Sequence, residues 1–176
     1  MDREREAEYA AYVERAWATL VRAAVFLGAQ PHEAEDLAQT TLVRCYTGWE
    51  RVSSAENRDA YVYRMLLNCL RDTRRTRWWK DRAATGALED RGTTTADPRD
   101  AADAVAVADA VHRALGCLSK PNRDVVVLRY FVQLTEKQTA AVLGVPAGTV
   151  KSRLSRSLAQ LAANDHLLDL SGGTSR

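Results

Sequence analysis

Five side chains towards the C-terminus of this 176-residue sequence carry its plainest chemistry: Thr149, Lys151, Ser152, Arg153 and Arg156. Ser152, Arg153 and Arg156 stand three, four and seven residues beyond Thr149, one face of a helix, with Lys151 and Ser155 beside them. That face offers hydroxyl and cationic donors and no acid. Arginine reaches guanine O6 and N7 or a phosphate, and Ser and Thr bond phosphates or base edges, so the pattern suits a helix laid in the major groove of duplex DNA. A merely solvated amphipathic helix is the bland alternative, but such faces ordinarily mix charge signs.

A second cationic group lies further upstream. From Arg64 to Arg82 seven basic residues face two acids, and Arg64, Asn68, Arg71 and Arg75 recur at four, three and four residues. Such a stripe can follow the phosphates of a nucleic-acid strand and stack guanidinium planes on bases. Trp78 and Trp79 follow in the same basic context, suited to stacking, although tryptophan is more often packed. From Ala83 to Ala110 two arginines face six acids, and from Val111 onward nine basic residues face four acids. The formal charge of +2 hides this alternation. Two basic blocks around an acidic stretch imply two anion-binding surfaces with a spacer between them.

The elements that must position these groups are helices. Tyr9, Tyr12, Val13, Ala16, Trp17, Leu20, Val21 and Ala24 give a first helix, ended at Gly28–Pro31. A second spans His32–Trp49, with Ala34, Leu37, Thr41, Cys45 and Trp49 inward and Ala38, Leu42 and Tyr46 widening that stripe. Asp36, Gln39, Thr40 and Val43 face the other way. Ser53–Asp59 reads as a polar turn and Ala60–Trp79 as a third helix. Residues 83–103, with two glycines, a proline, four threonines and no aromatic, read as a flexible acidic linker. Beyond it come helices over Ala104–Gly116 and Asn122–Val132, the second opened by Ser119 and Pro121. Thr135 with Gln138 forms a capping box, Gly144 stops the helix it opens, and Pro146–Leu161 is the basic helix. Its apolar stripe reads Val150, Leu154, Leu158 and Leu161. A short helix, a tight turn with Gly and a basic helix make a helix-turn-helix. The expected fold is therefore all-α: two small helical domains, 1–82 and 104–166, joined by the linker and followed by a disordered tail, 167–176.

Several function classes fall away. Cys45, Cys69 and Cys117 lack metal-ligand spacing and read as buried small hydrophobes, and His32, His112 and His166 belong to no cluster. No phosphate-binding Gly loop is present, so the expectation is no catalysis, no metal and no cofactor. The charged start, Met1-Asp-Arg-Glu-Arg-Glu, is unlike a signal peptide, and no run is long enough to span a membrane, which places the expected site of action in the cytoplasm with no membrane insertion.

Leu118–Phe131 and Leu134–Arg156, with the string GTVKSRLSR at 148–156, resemble region 4 of the extracytoplasmic-function (ECF) sigma factors. Ala34–Tyr46 resembles their region 2.2 and Ala60–Arg75 their regions 2.3–2.4; Gln39–Leu42 and the Trp78–Trp79 pair are closest to the SigE-like subgroup. The resemblance implies a promoter-specificity subunit of RNA polymerase that binds the core enzyme through the β′ clamp helices and the β flap. Asp36, Gln39, Thr40 and Val43 would dock on the clamp helices. Many members carry an acid where this chain has Thr40, so one ionic contact would be lost or replaced. Asn57, Arg58, Arg64, Asn68, Arg71, Arg74 and Arg75 would hold and melt the minus-10 element, and Thr149, Lys151, Ser152, Arg153 and Arg156 would read the minus-35 element. Tyr61 takes the place of a common family tryptophan and is expected in the core. An anti-sigma factor is a further implied partner. A stand-alone helix-turn-helix repressor or activator remains the alternative; it leaves the first domain's two stripes without a job.

Overall fold

The computed structural model describes the backbone of residues 3–83 and 101–163, and side chains over 3–76 and 108–163. Its described elements are all helical. The chain divides into two compact units.

The first unit holds α2 (Pro31–Thr47) and α1 (Arg3–Phe26) up to Val25; a turn through Gly28, whose φ of 93° suits a residue without Cβ, joins the two helices. Pro31 starts α2 with its φ preset, and Glu33 reaches back to accept the Gln30 N–H at 3.2 Å. The inward stripe is as expected: Ala34, Leu37, Ala38, Thr41, Leu42 and Cys45 are buried, and the Thr41 hydroxyl is satisfied by the Leu37 carbonyl at 2.7 Å. Two apolar positions differ: Tyr46, expected to widen that stripe, and Trp17, expected on the apolar face of α1, are both exposed.

Trp49 does not extend α2. Gly48 breaks the helix, and a short α3 (Trp49–Ser53) buries Trp49 and Val52. The next helix, α4 (Arg58–Ala83), begins two residues before the expected start. Asn57 is the reason: its Oδ1 accepts the Ala60 N–H at 2.6 Å, the geometry of an N-cap. Val62, Tyr63, Leu66, Leu67, Cys69 and Leu70 form the inner face of α4, which packs on α2.

In the second unit, α5 (Ala101–Gly116) includes Ala101–Asp103, which composition had grouped with the linker. The expected Asn122–Val132 helix is instead α6 (Lys120–Val126) followed by one π-helical turn, Val127–Phe131, closed by the Val132 N–H on the Val127 carbonyl at 3.1 Å. The extra residue pushes Tyr130 and Phe131 towards solvent. Gln133 then turns the chain at φ 62°, and the Arg129 guanidinium ties the turn down through the Leu134 carbonyl.

The helix-turn-helix forms as its local signals dictate. α7 (Glu136–Leu143) opens on the Thr135–Gln138 capping box, with the Gln138 N–H on Thr135 Oγ1 at 3.2 Å and the Thr135 N–H on Gln138 Oε1 at 2.7 Å. Gly144 ends it in the left-handed region at φ 67°, and the Val145 N–H closes on the Ala140 carbonyl at 3.1 Å. α8 (Ala147–Ala162) follows, with Pro146 as its N-cap rather than in its first turn. Val125, Ala140 and Val150 form a buried knot, with Leu143, Val145 and Leu154 packed around it. The inner stripe of α8 is Val150, Leu154, Ser157 and Leu161. Ser157 replaces Leu158 in it because its hydroxyl donates to the Arg153 carbonyl at 2.7 Å and is buried without an orphaned polar atom. The linker segment 84–100, the tail from 164 onward and the side chains of Trp78 and Trp79 lie outside the described residues.

Candidate nucleic-acid interface and docking face

Three exposed helix faces carry the residues singled out by sequence. On α8, Lys151, Ser152 and Arg156 are exposed, with Ser155 between them. Thr149 and Arg153 are half-buried, set at the edge where the helix meets its core. Ser152 Oγ donates to the Thr149 carbonyl at 3.1 Å and Arg156 Nε to the Ser152 carbonyl at 3.2 Å. The second bond steers the Arg156 side chain back along the helix and leaves its terminal nitrogens outward for a base edge or phosphate. The start of α8 has no side-chain cap and no acid, whereas α7 is doubly capped. An uncapped N-terminus keeps backbone N–H groups and partial positive charge for an outside anion.

On α4, Arg64, Asn68, Arg71 and Arg75 are all exposed and form the expected continuous line. Arg75 lies 3.6 Å from Asp72, a weak solvent-screened pair that can exchange for a phosphate. Arg74 is half-buried off the line. Tyr61 corrects the sequence reading: it is 39% exposed, three residues before Arg64 on the same face, not core. Extending the stripe by one turn would have found it.

Asn57 and Arg58 are placed differently from the other candidates. Asn57 spends its carbonyl oxygen on capping α4. Arg58 Nη2 is 2.7 Å from Glu8 Oε1 and also bonds the Ser53 carbonyl, while its guanidinium lies over the rings of Trp49, at 5.1 Å, and Tyr12, at 5.8 Å. Glu8 Oε2 in turn accepts the Trp49 indole N–H at 3.3 Å, and Tyr12 donates to Asp59 Oδ1 at 3.2 Å. These two residues build the turn.

On α2, Asp36, Gln39, Thr40 and Val43 all face solvent, Val43 at 56%. Asp36 and Thr40 also rim a hollow of about 290 Å³ between α2 and α4, floored by Leu37 and Cys69 and crossed by Arg44, which lies 3.9 Å from Asp72. Burial pushes the Cys45 thiol up to about 12, with Cys69 adding to the effect, so Cys45 is an inert packing thiol. Cys69 is buried too. Cys117 corrects the expectation of three buried cysteines: it is exposed at the end of α5.

The second unit also carries an apolar hollow of about 280 Å³ between α5, the π turn and the end of α8, walled by Leu115, Val126, Tyr130, Phe131, Leu158 and Leu161. Sequence reading did not find it, because the π turn that opens it leaves no mark in residue periodicity.

Residues 12–80 match the model of sigma-70 region 2, and residues 108–161 match sigma-70, region 4. The RNA polymerase sigma-E factor of Streptomyces avermitilis is 37% identical over 158 residues, covering 88% of this chain and 83% of the relative. Its counterpart in Streptomyces coelicolor is 38% identical over 157 residues, covering 88% and 84%. Among solved structures, CnrH in complex with the cytosolic domain of CnrY aligns with a TM-score of 0.64 at 26% identity, covering 94% of this chain and 90% of that one. The sigma factor RpoE in complex with the anti-sigma factor NepR, from Bartonella quintana, shares the fold with a TM-score of 0.74 at 23% identity, covering 88% and 94%.

Proposed function

Because this chain belongs to the sigma-70 family, as a SigE-like member of its ECF group, and so directs promoter-specific transcription initiation by core RNA polymerase, we propose how its exposed faces divide that work. The α8 face, Lys151, Ser152 and Arg156 with Thr149 and Arg153 at its edge, reads the minus-35 element as duplex. The α4 line of Arg64, Asn68, Arg71 and Arg75 takes the minus-10 strand once it opens, and Tyr61 extends it with a ring able to stack on a base. Asn57 and Arg58 serve that strand by holding the turn from which α4 starts, and Arg74 lies beside the line. Asp36, Gln39, Thr40 and Val43 dock on the β′ clamp helices, and the apolar hollow of the second unit receives the β flap. No bond-making step falls to the chain itself; opening is driven by binding the separated strand better than the duplex.

The observation that carries this reading is the presence, in one chain, of matches to regions 2 and 4 on two separate units, each with an exposed cationic helix face. A stand-alone helix-turn-helix regulator would need only the second. The family also implies an anti-sigma partner, which would act by covering the same faces. Footprinting tests the division of labour. With Arg64→Ala/Arg71→Ala, permanganate reactivity at minus-10 should fall while minus-35 protection persists, and Arg156→Ala should do the reverse. Equal loss of both signals in both variants would sink the assignment.

A further inference from the structure

Between Asp59 and Asp81 the chain carries a single acid, Asp72, set among six basic residues. It follows Arg71 directly and stands three residues before Arg75, which puts it beside the cationic line of α4. Its two carboxylate oxygens are divided between two helices. Oδ1 lies 3.6 Å from Arg75 Nη2, on the line itself, and Oδ2 lies 3.9 Å from Arg44 Nη1, on α2. All three side chains are half exposed or more, so both pairs are weak and exchange readily.

A carboxylate in this place has two effects on a strand. It gives Arg75 the kind of partner that a phosphate would be, and it repels a phosphate approaching Arg71 or Arg75. When Arg75 turns to DNA, Asp72 loses one cation and keeps the other. Arg44 and Asp72 both line the hollow of about 290 Å³ between α2 and α4, which leaves the two side chains room to close on each other. Arg44 is thus the group that can draw the carboxylate away from the line.

We propose that Asp72 is a specificity-determining residue: it holds Arg75 from DNA in general and releases it, by closing on Arg44, to a strand already set beside α4. This rests on the assignment of the α4 line to the minus-10 strand. The repulsion falls on every strand alike. A strand held by further contacts overcomes it, and a strand held by charge alone does not.

The test measures binding of the full chain, without polymerase, to a fluorescent single strand of random sequence across a salt series. Asp72→Asn should tighten binding about three- to fivefold at low salt and steepen the log–log salt dependence by about 0.7, the contribution of one more cation free for phosphate. Asp72→Glu, which keeps the charge, should stay within about twofold of the parent chain. Arg44→Gln should weaken binding, because the carboxylate then stays with Arg75, and Arg44→Gln/Asp72→Asn should match Asp72→Asn alone. On a genomic promoter library with Streptomyces coelicolor core enzyme, Asp72→Asn should add start sites. An unchanged set of start sites would overturn the proposal.

Melting curves of all variants accompany the binding data. A carboxylate that only tied α4 to α2 would give the opposite sign: Asp72→Asn would lower the melting temperature and leave strand binding unchanged or weaker, and the proposal would fall. Arg64→Ala/Arg71→Ala separates the two readings. If it weakens strand binding while Asp72→Asn does not tighten it, the role of Asp72 is wrong and the α4 line stands. If neither variant changes strand binding, both fail.

Discussion

The Arg58 guanidinium lies 2.7 Å from the Glu8 carboxylate, an ion pair that joins the start of α4 to the first helix and encloses the Trp49 indole between them. It gives a cation that sequence reading offered to DNA a partner within the fold. Arg58→Ala should therefore act on stability: with Glu8 close to half exposed, the pair and the ring contact together contribute about 1–2 kcal/mol. A melting temperature lowered by several degrees, matched by Glu8→Ala without further loss in the double variant, is the expected thermal result. Additive losses would show that the two residues do not act as a pair.

Arg156 should behave oppositely. Its exposed end bonds no described side chain, so Arg156→Ala should leave the melting temperature within about a degree or two while weakening promoter binding by the holoenzyme by about 1–3 kcal/mol. Arg153, half-buried against the core, should show a mixed effect, with some loss of stability and a smaller loss of specificity. Binding titrations against consensus and scrambled minus-35 sequences distinguish the two. Equal loss on both sequences would assign Arg156 to phosphate alone.

The thiols should separate by reactivity. Ellman titration of the native chain should show one fast group, Cys117, and two slow groups, Cys45 and Cys69, released on denaturation. Fast reaction of two thiols would contradict the packing of α2 on α4.

Alkaline stability follows from the same burial. Burial lifts Cys45 to about 12, with Cys69 adding, and Tyr63 to about 12, with Asp59 adding. Both folded values exceed the ordinary ones of 9.0 and 10.0, so the neutral forms favour the fold below about pH 9, and that contribution is lost as pH rises from about 9 towards 12. Chemical denaturation midpoints should be flat through pH 7–8.5 and fall above that, and Cys45→Ala should make the first part of the fall shallower. A midpoint that rises with alkalinity would contradict the burial of these groups.

What was legible in the sequence is what is local. The Thr135–Gln138 box, the Gly144 stop and the acid-free face of α8 each need only a few neighbouring residues, and they form as read. The α2 stripes were also clear, because burial there follows a simple period. Contacts across the chain were not legible: nothing local shows that Glu8 claims Arg58, or that the Tyr9 ring meets the edge of Tyr46, 5.1 Å between centroids. The π turn at Val127–Phe131 adds a residue to a helix without altering its composition, so the hollow beside Tyr130 could not be anticipated. Asn57 is a cap residue that the polar composition of Ser53–Asp59 masks, and Ser157 shows that a hydroxyl bonded to its own helix can replace leucine in a buried stripe.

The central claim is that this chain confers promoter choice on core polymerase. Transcription in vitro from a genomic promoter library, using Streptomyces coelicolor core enzyme with and without the chain, tests it most directly. The account predicts discrete start sites that require the chain, that weaken with Arg156→Ala, and that vanish when Val43→Asp blocks docking. No chain-dependent start site under any salt or temperature condition would contradict it.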